Sequence, residues 1–262
     1  MPTPTLEKKP TGQTSPDLYA TVYKAVYDAL STASFDLEFE LQRRASEETV
    51  EFIRENLPLH LGFRTRLALL DKVLEMTPAE GLVLEFGVYR ARSINFIASR
   101  MPDRAIYGFD SFEGLPEPWL YRVRAFHDLE ELPKVRDNCV LVKGWFDETL
   151  APFLEKTPGP CALVHIDSDI YSSAKLVLDQ LEPRIGPGTM ILFDDFFNYP
   201  GWKEGEYRAF NEFVERTGVE FEYIGFTFKP VPTEQRLREG SSPFQVAVRV
   251  LSAPNSGDTA TA

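Results

Sequence analysis

Asp167, Asp194 and Asp195 stand at the ends of two apolar runs, in VHIDSDIYSS and MILFDDFFNYPGW, with no basic residue next to them. Carboxylates brought together without a neighbouring cation favour a hard divalent ion, with Mg²⁺ the first expectation inside a cell. Such an ion lowers the pKa of a bound hydroxyl and presents it as an alkoxide or phenoxide. The blander reading makes Asp194 or Asp195 a helix N-cap and Asp169 a loop acid. A second pairing lies upstream, where Glu85 and Gly87 follow the run LVLEF and Asp110 ends the run AIYGF. A strand, a glycine turn, a helix and a second strand ending in an acid are how doubly wound folds hold an adenosine-bearing ligand. The turn lets ligand atoms approach the backbone, and the acid accepts hydrogen bonds from ribose hydroxyls. The stretch LVLEFGVYRARS contains one glycine and no GxGxxG, so the dinucleotide fingerprint is absent.

These residues need a sheet edge to bring them together. Continuously apolar runs at 82–86, 105–109, 139–143, 161–166 and 189–193 predict strands of a parallel sheet covered on both faces. Helical patterns fall at 93–100, 148–155, 172–181 and 204–216. Two alternating segments, 220–229 and 244–251, flank a polar loop with Pro230, Pro232 and Gly240, and predict a terminal antiparallel hairpin. The expected fold is α/β, a Rossmann-like doubly wound sheet of seven strands, mostly parallel. Helices at 17–33, 46–57 and 64–76 precede it, giving an N-terminal helical segment 17–80 and a core 81–251. The polar ends, 1–16 and 252–262, read as disordered tails. Leu18, Val22, Val26 and Leu30 recur along the first helix beside a stripe of Tyr19, Tyr23 and Tyr27. Such a stripe is a packing surface, a lid or a homodimer contact.

A net charge of −12 over 262 residues argues against nucleic acid or an anionic membrane as partner, because phosphate binding needs a basic face. No run approaches the roughly 20 apolar residues of a membrane helix, and MPTPTLEKKPTGQTSP lacks the apolar centre of a signal peptide. Cys139 and Cys161 form neither a disulfide framework nor a metal-ligand spacing. The expectation is a soluble cytoplasmic protein.

Ligands of open parallel sheets bind beyond the carboxyl ends of the strands. The residues there are Glu85 and Gly87, Asp110, Gly144–Phe146, Asp167–Asp169, and Asp194 with Asp195. His165 precedes Asp167 by two and shares its side of the strand, as a base or as a hydrogen-bonded core histidine. His60 and His127 fall in loops. Trp119, Tyr121, Phe197, Tyr199 and Trp202 are aromatic residues near the same rim, fit either to wall an apolar acceptor pocket or to pack inside. Lys203, Glu204 and Glu206 read as a solvated helix face.

Taken together, EFGVYRARS, YGFDSFEGLP, VKGWFDETL, HIDSDIYSS and FDDFFNYPGW resemble the class I S-adenosylmethionine-dependent methyltransferases, and more narrowly the macrocin O-methyltransferase family. The resemblance covers about residues 82–213. It implies transfer of a methyl group from S-adenosylmethionine to a hydroxyl of a sugar, phenol or secondary metabolite, with Mg²⁺ assisting. A metal-independent N- or carboxyl-methyltransferase, or a non-catalytic nucleotide-binding protein of the same fold, are the alternatives. The resemblance implies that Glu85, Gly87, Val88 and Tyr89 contact the methionine part of the cofactor, with Arg90 or Ser93 near its carboxylate. It implies that Asp110 holds the ribose, that Ser111 and Phe112 lie by the adenine, and that Gly144, Trp145 and Phe146 pack near it. Asp167, Asp194 and Asp195 match the family's magnesium ligands. Methyl transfer also needs a deprotonated acceptor, for which Asp167, where the metal is absent or shared, and His165 are the candidate bases. The chain departs from the family where Ala91 and Arg92 replace a frequent glycine pair, and where Ser168 interrupts an Asp-Gly-Asp.

Overall fold

The computed structural model describes residues 16–33, 36–120, 125–127, 130–228 and 244–254. Tyr121, the loop with Pro230, Pro232 and Gly240, and nearly all of both expected tails lie outside them. The chain forms two compact units, Met1–Arg43 and Arg44–Ala262. In the first unit α1 (Pro16–Ala33) stacks Tyr19 on Tyr23 and Tyr23 on Tyr27, each pair with ring centroids 6.4 Å apart. Those rings are exposed, as are Leu18, Val22 and Val26. The helix α2 (Leu37–Asn56) begins in this unit and ends in the second.

The second unit is built on one sheet. Its strands are β1 (Gly62–Phe63), β2 (Leu82–Phe86), β3 (Ile106–Asp110), β4 (Cys139–Lys143), β5 (Cys161–Ile166), β6 (Met190–Phe193), β7 (Phe221–Thr227) and β8 (Val246–Val250). They lie in the order β1-β7-β8-β6-β5-β2-β3-β4. The expected five parallel strands and antiparallel hairpin are present, with β8 antiparallel to both β6 and β7. The eighth strand, β1, is a two-residue addition parallel to β7, too short for any periodicity to announce.

Direct pairing across parallel strands points residues to the same face. Val83, Leu163 and Met190 therefore share one face, and Leu84, Val164 and Ile191 the other. The first face is covered by α3 (Arg66–Met76) through Leu69, Leu70 and Val73, and by α4 (Arg92–Arg100) through Ile94 and Ile97. The second face is covered by α5 (Phe146–Lys156), α6 (Tyr171–Leu181) and α7 (Glu206–Thr217). The strands read as continuous apolar runs because both faces are buried.

An aromatic cluster fills the second face. Phe210 of α7 lies 5.1 Å from Phe193 and 4.9 Å from Phe221 between ring centroids, and it is fully buried. Phe52 of α2 meets Phe196, Phe197 and Trp202. Removing such a ring leaves a cavity that the surroundings close only in part. Phe210→Ala is expected to lower stability by about 3–5 kcal/mol, read from the denaturant midpoint, because the buried ring packs against Phe193, Phe196 and Phe221.

Candidate active site

The parallel ladder continues one step past the strands and sets the site. The amide of Gly87 donates to the carbonyl of Phe109 at 2.9 Å, that of Asp167 to Phe86 at 2.8 Å, and that of Asp194 to Ile166 at 2.8 Å. These bonds bring the ends of β3, β2, β5 and β6 side by side. The strand order reverses at β2, since the chain leaves it toward β3 and returns on its other side as β5. A switch of that kind opens a crevice at the carboxyl ends.

Gly87 has φ of +95° and lies so close to β5 that a Cβ there would sit 1.8 Å from the Asp167 carbonyl oxygen. The glycine is thus demanded by strand-to-strand approach as well as by any ligand. The loop after it is wound tightly, with Tyr89 at φ +44° and Ala91 at +57°. Left-handed non-glycine residues need outside support. Asp110 supplies it: Oδ2 accepts the amides of Val88 and Tyr89, both at 2.8 Å, and Oδ1 accepts that of Phe112 at 2.6 Å. Ala91 makes the left-handed turn that leads into α4.

The crevice has a volume of about 340 Å³. Its floor and acidic edge include Gly87, Tyr89, Asp110, Ser111, Asp167, Asp194 and Asp195, and its apolar walls include Phe112, Trp119, Phe126, Trp145, Phe146 and Phe244. A second cavity of about 420 Å³ shares Arg66, Tyr89 and Asp167 with it and reaches Val88, Arg90, Ser93, His165 and Gln245. Among the expected cofactor residues, Glu85 and Gly144 line neither. Glu85 is fully buried beneath the loop, and Gly144, at φ +138°, turns the chain while donating its amide to the Asp110 carbonyl. Phe197, Tyr199 and Trp202 are buried in the core rather than set as pocket walls. That role falls to Phe126 and Phe244, from distant parts of the chain.

Beneath the rim runs a chain of buried polar contacts. Ser93 donates to Glu85 Oε1 at 3.2 Å, Glu85 Oε2 lies 3.0 Å from His165 Nδ1, and His165 Nε2 lies 3.3 Å from Asp194 Oδ1. Register explains the second pair, because Glu85 and His165 are direct partners on β2 and β5. Burial alone would strip the proton from His165. The hydrogen bonds to Asp194 and Glu85 outweigh it and lift the pKa to about 10.

The expectation of no cation beside the aspartates fails in three dimensions. Arg66, in the first turn of α3 after the Thr65 cap, reaches Asp194 at 2.5 Å and Asp167 at 3.3 Å. Burial opposes its charge, but Asp194, Asp167 and Asp195 hold it firmly protonated. Gln245 also donates to Asp194, while its Oε1 has no partner among the described residues. Burial would raise the pKa of Asp194, yet Arg66 and His165 pull it below the ordinary carboxylate value. Asp167 differs. Burial and repulsion from Asp194 outweigh Arg66 and lift it to about 7, with a quarter of its side chain exposed.

The acids fall into two sets that share Asp167. Ligand atoms of His165, Asp167 and Asp194 lie within 4.8 Å of one another, and so do those of Asp167, Asp169 and Asp195. Asp169 is therefore more than a loop acid: at φ +64° it turns back into the group and is buried. Burial, then mutual repulsion, pushes Asp169 and Asp195 well above the ordinary carboxylate range. The Tyr199 hydroxyl, close enough to feel Asp195, Glu206 and Asp169, is buried without a partner among the described residues. An all-oxygen donor set under such repulsion suits a hard divalent cation. Sequence reasoning missed Arg66, Asp169, Gln245 and Glu206. Glu206, expected on a solvated face, has no exposure at all. Spacing gave no sign of Arg66, which stands 101 residues from Asp167 in the chain.

Residues 84–196 match the model of a family described as a methyltransferase domain. The chain is 29% identical over 163 residues to the 8-demethyl-8-(2,3-dimethoxy-α-L-rhamnosyl)-tetracenomycin-C 4'-O-methyltransferase of Streptomyces olivaceus, a match covering 50% of this chain and 60% of that protein. It is 26% identical over 242 residues to the mycinamicin III 3''-O-methyltransferase of Micromonospora griseorubida, covering 79% of this chain and 90% of that one. The crystal structure of a calicheamicin methyltransferase superposes with a TM-score of 0.50 at 24% identity, over 81% of this chain and 92% of that chain, and shows the same fold. With the matched domain spanning β2 to the acid pair after β6, the chain resembles the class I S-adenosylmethionine-dependent methyltransferases and, among them, the macrocin O-methyltransferase family.

Proposed function

We propose that the protein is an S-adenosylmethionine-dependent O-methyltransferase acting on a hydroxyl of a small molecule, a sugar, phenol or secondary metabolite, with Mg²⁺ assisting. The observation that carries this reading is the crevice itself, which joins the Asp110 loop to the acidic rim at Asp167. The two relatives named above are O-methyltransferases, which supports an oxygen acceptor.

In this reading Gly87, Val88 and Tyr89 lie along the methionine part of the cofactor, above the buried Glu85, with Arg90 and Ser93 toward its carboxylate. Asp110 takes the ribose, and Ser111 and Phe112 the adenine, against Trp145 and Phe146 beyond the Gly144 turn. S-adenosylmethionine, when bound, supplies a methyl group on a positively charged sulfur. Asp167, Asp195 and either Asp169 or Asp194 are the residues that would hold Mg²⁺, whose charge would lower the pKa of the acceptor hydroxyl. The chain's own task is positioning, since in-line transfer gains most from holding the reacting atoms about 3 Å apart. The walls of Trp119, Phe126 and Phe244 exclude water from the acceptor side.

Asp167, rather than His165, is the base. Both ring nitrogens of the buried His165 are engaged by carboxylates, whereas Asp167 faces the crevice. His165 holds Glu85 and Asp194 in place. Arg66 favours a second reading, in which a guanidinium already balances the rim and no metal is required. The exposed tyrosine stripe of α1 supports a homodimer. The absence, among the described residues, of a helix long and apolar enough to cross a membrane fits a cytoplasmic enzyme, and the net charge of −12 speaks against nucleic acid.

S-adenosylhomocysteine is expected to raise the melting temperature in proportion to its saturation; no shift at millimolar concentration overturns the cofactor assignment. Asp110→Ala removes a charged acceptor and should weaken that binding by about 1–3 kcal/mol in calorimetry. Methyl transfer to hydroxylated acceptors should stop in EDTA and return with Mg²⁺, and full activity in EDTA decides for the metal-free reading. Asp167→Asn should lower kcat by about 10²–10⁴, the range of a general base. His165→Gln should instead cost about 3–5 kcal/mol of stability by removing the ring that bridges the buried Glu85 and Asp194 carboxylates, with a smaller change in kcat.

A further inference from the structure

Glu206 opens α7 and is fully enclosed, although it stands in the hydrophilic sequence WKEGEYR. A carboxylate buried to that degree persists only with hydrogen bonds to its oxygens. Glu206 has them from two directions. Oε1 accepts the amide of Ser168 at 3.2 Å and lies 3.5 Å from that residue's hydroxyl, while Oε2 accepts the amide of Asp195 at 3.1 Å. Ser168 belongs to the turn after β5 and Asp195 to the turn after β6. One side chain therefore ties together the two turns that carry Asp167, Asp169 and Asp195.

Several features show that the placement is built. The helix N-terminus favours an anion in its first turn. Gly205 just before it admits the Tyr199 ring, since a Cβ there would lie 2.1 Å from the hydroxyl. The Ser168 amide and hydroxyl both turn toward Glu206. The side chain lines neither the crevice nor the second cavity, so it touches no bound molecule directly. A fourth acidic side chain packed against the turns of three others adds like charge to the site. A group that served stability alone would be better replaced by a neutral acceptor.

We propose that Glu206 is a positioning residue for the metal site: by bridging the Ser168 and Asp195 amides it fixes Asp167, Asp169 and Asp195 at the spacing a divalent cation requires. This rests on the Mg²⁺ part of the proposed function and names Asp169 as third ligand. Asp194 is committed instead to Arg66, His165 and Gln245. Residues behind metal ligands typically tune affinity 10–100-fold.

The test is titration of MgCl₂ into the wild-type chain, Glu206→Gln and Glu206→Asp by calorimetry, with S-adenosylhomocysteine affinity measured without metal on the same samples. Glutamine offers one acceptor oxygen and turns an NH₂ toward the other amide; aspartate is one methylene short of spanning both. Each variant is expected to bind Mg²⁺ about 10–100-fold more weakly while S-adenosylhomocysteine affinity is unchanged, and either variant suffices if the other fails to fold. Wild-type Mg²⁺ affinity in both variants, or a parallel loss of Mg²⁺ and S-adenosylhomocysteine binding, overturns the role of Glu206 and leaves the metal reading standing. A wild-type chain that takes up no Mg²⁺ removes the metal reading and this inference with it.

Discussion

Arg66 reaches across to Asp194 and Asp167, and His165 lies between Asp194 and Glu85. Without these two cations the carboxyl edge of the sheet would carry Glu85, Asp167, Asp169, Asp194, Asp195 and Glu206 with nothing to balance them. Burying one uncompensated charge costs several kcal/mol, and neighbouring like charges add to it. The pairing is partial. Asp194 is satisfied and held below the ordinary carboxylate range, while burial and the surrounding carboxylates push Asp169 and Asp195 well above it. That imbalance gives the rim its chemical character: half of it is a closed salt-bridge network, and half keeps oxygen atoms in excess of positive charge.

The rest of the molecule holds this edge still. Helices α3 and α4 pack by apolar faces onto the β2, β5 and β6 surface, which brings Arg66 and Ser93 to the polar end of the same face. On the opposite face the phenylalanine cluster fixes α7, and with it Glu206. The Asp110 carboxylate, by gathering three amides, keeps the tightly wound Gly87–Ala91 loop in a shape that an unsupported chain would leave. Binding surface and structural support are thus the same groups. A loss at Asp110 is expected to be felt in loop shape as well as in ligand contact.

Much of this was legible before any coordinates. Hydrophobic periodicity located all but the two-residue strand, and turn chemistry placed the acids of the two motifs at strand ends. The errors share one physical source. Arg66, Gln245, Phe126 and Phe244 join the site from other parts of the chain, and local spacing carries no record of a contact made over such separations. Glu206 was misread because a charged residue at a helix start ordinarily faces water. Only its three bonds to the neighbouring turns reveal the opposite. Phe197, Tyr199 and Trp202 were open to either reading: Phe197 and Trp202 pack against Phe52 in the core, and Tyr199 is buried against Trp119 and Phe244, behind the crevice wall.

Composition and pattern by themselves determined the class of fold, the parallel core with its closing hairpin, and which strand ends carry carboxylates, because those depend on period and local backbone preference. The tertiary structure decided which strands are neighbours. It set β5 between β2 and β6, so that Asp167 meets Asp194, and it delivered Arg66 to them both. Charge balance at a buried rim is a property of distances through space. Those distances exist only once the sheet has chosen its order.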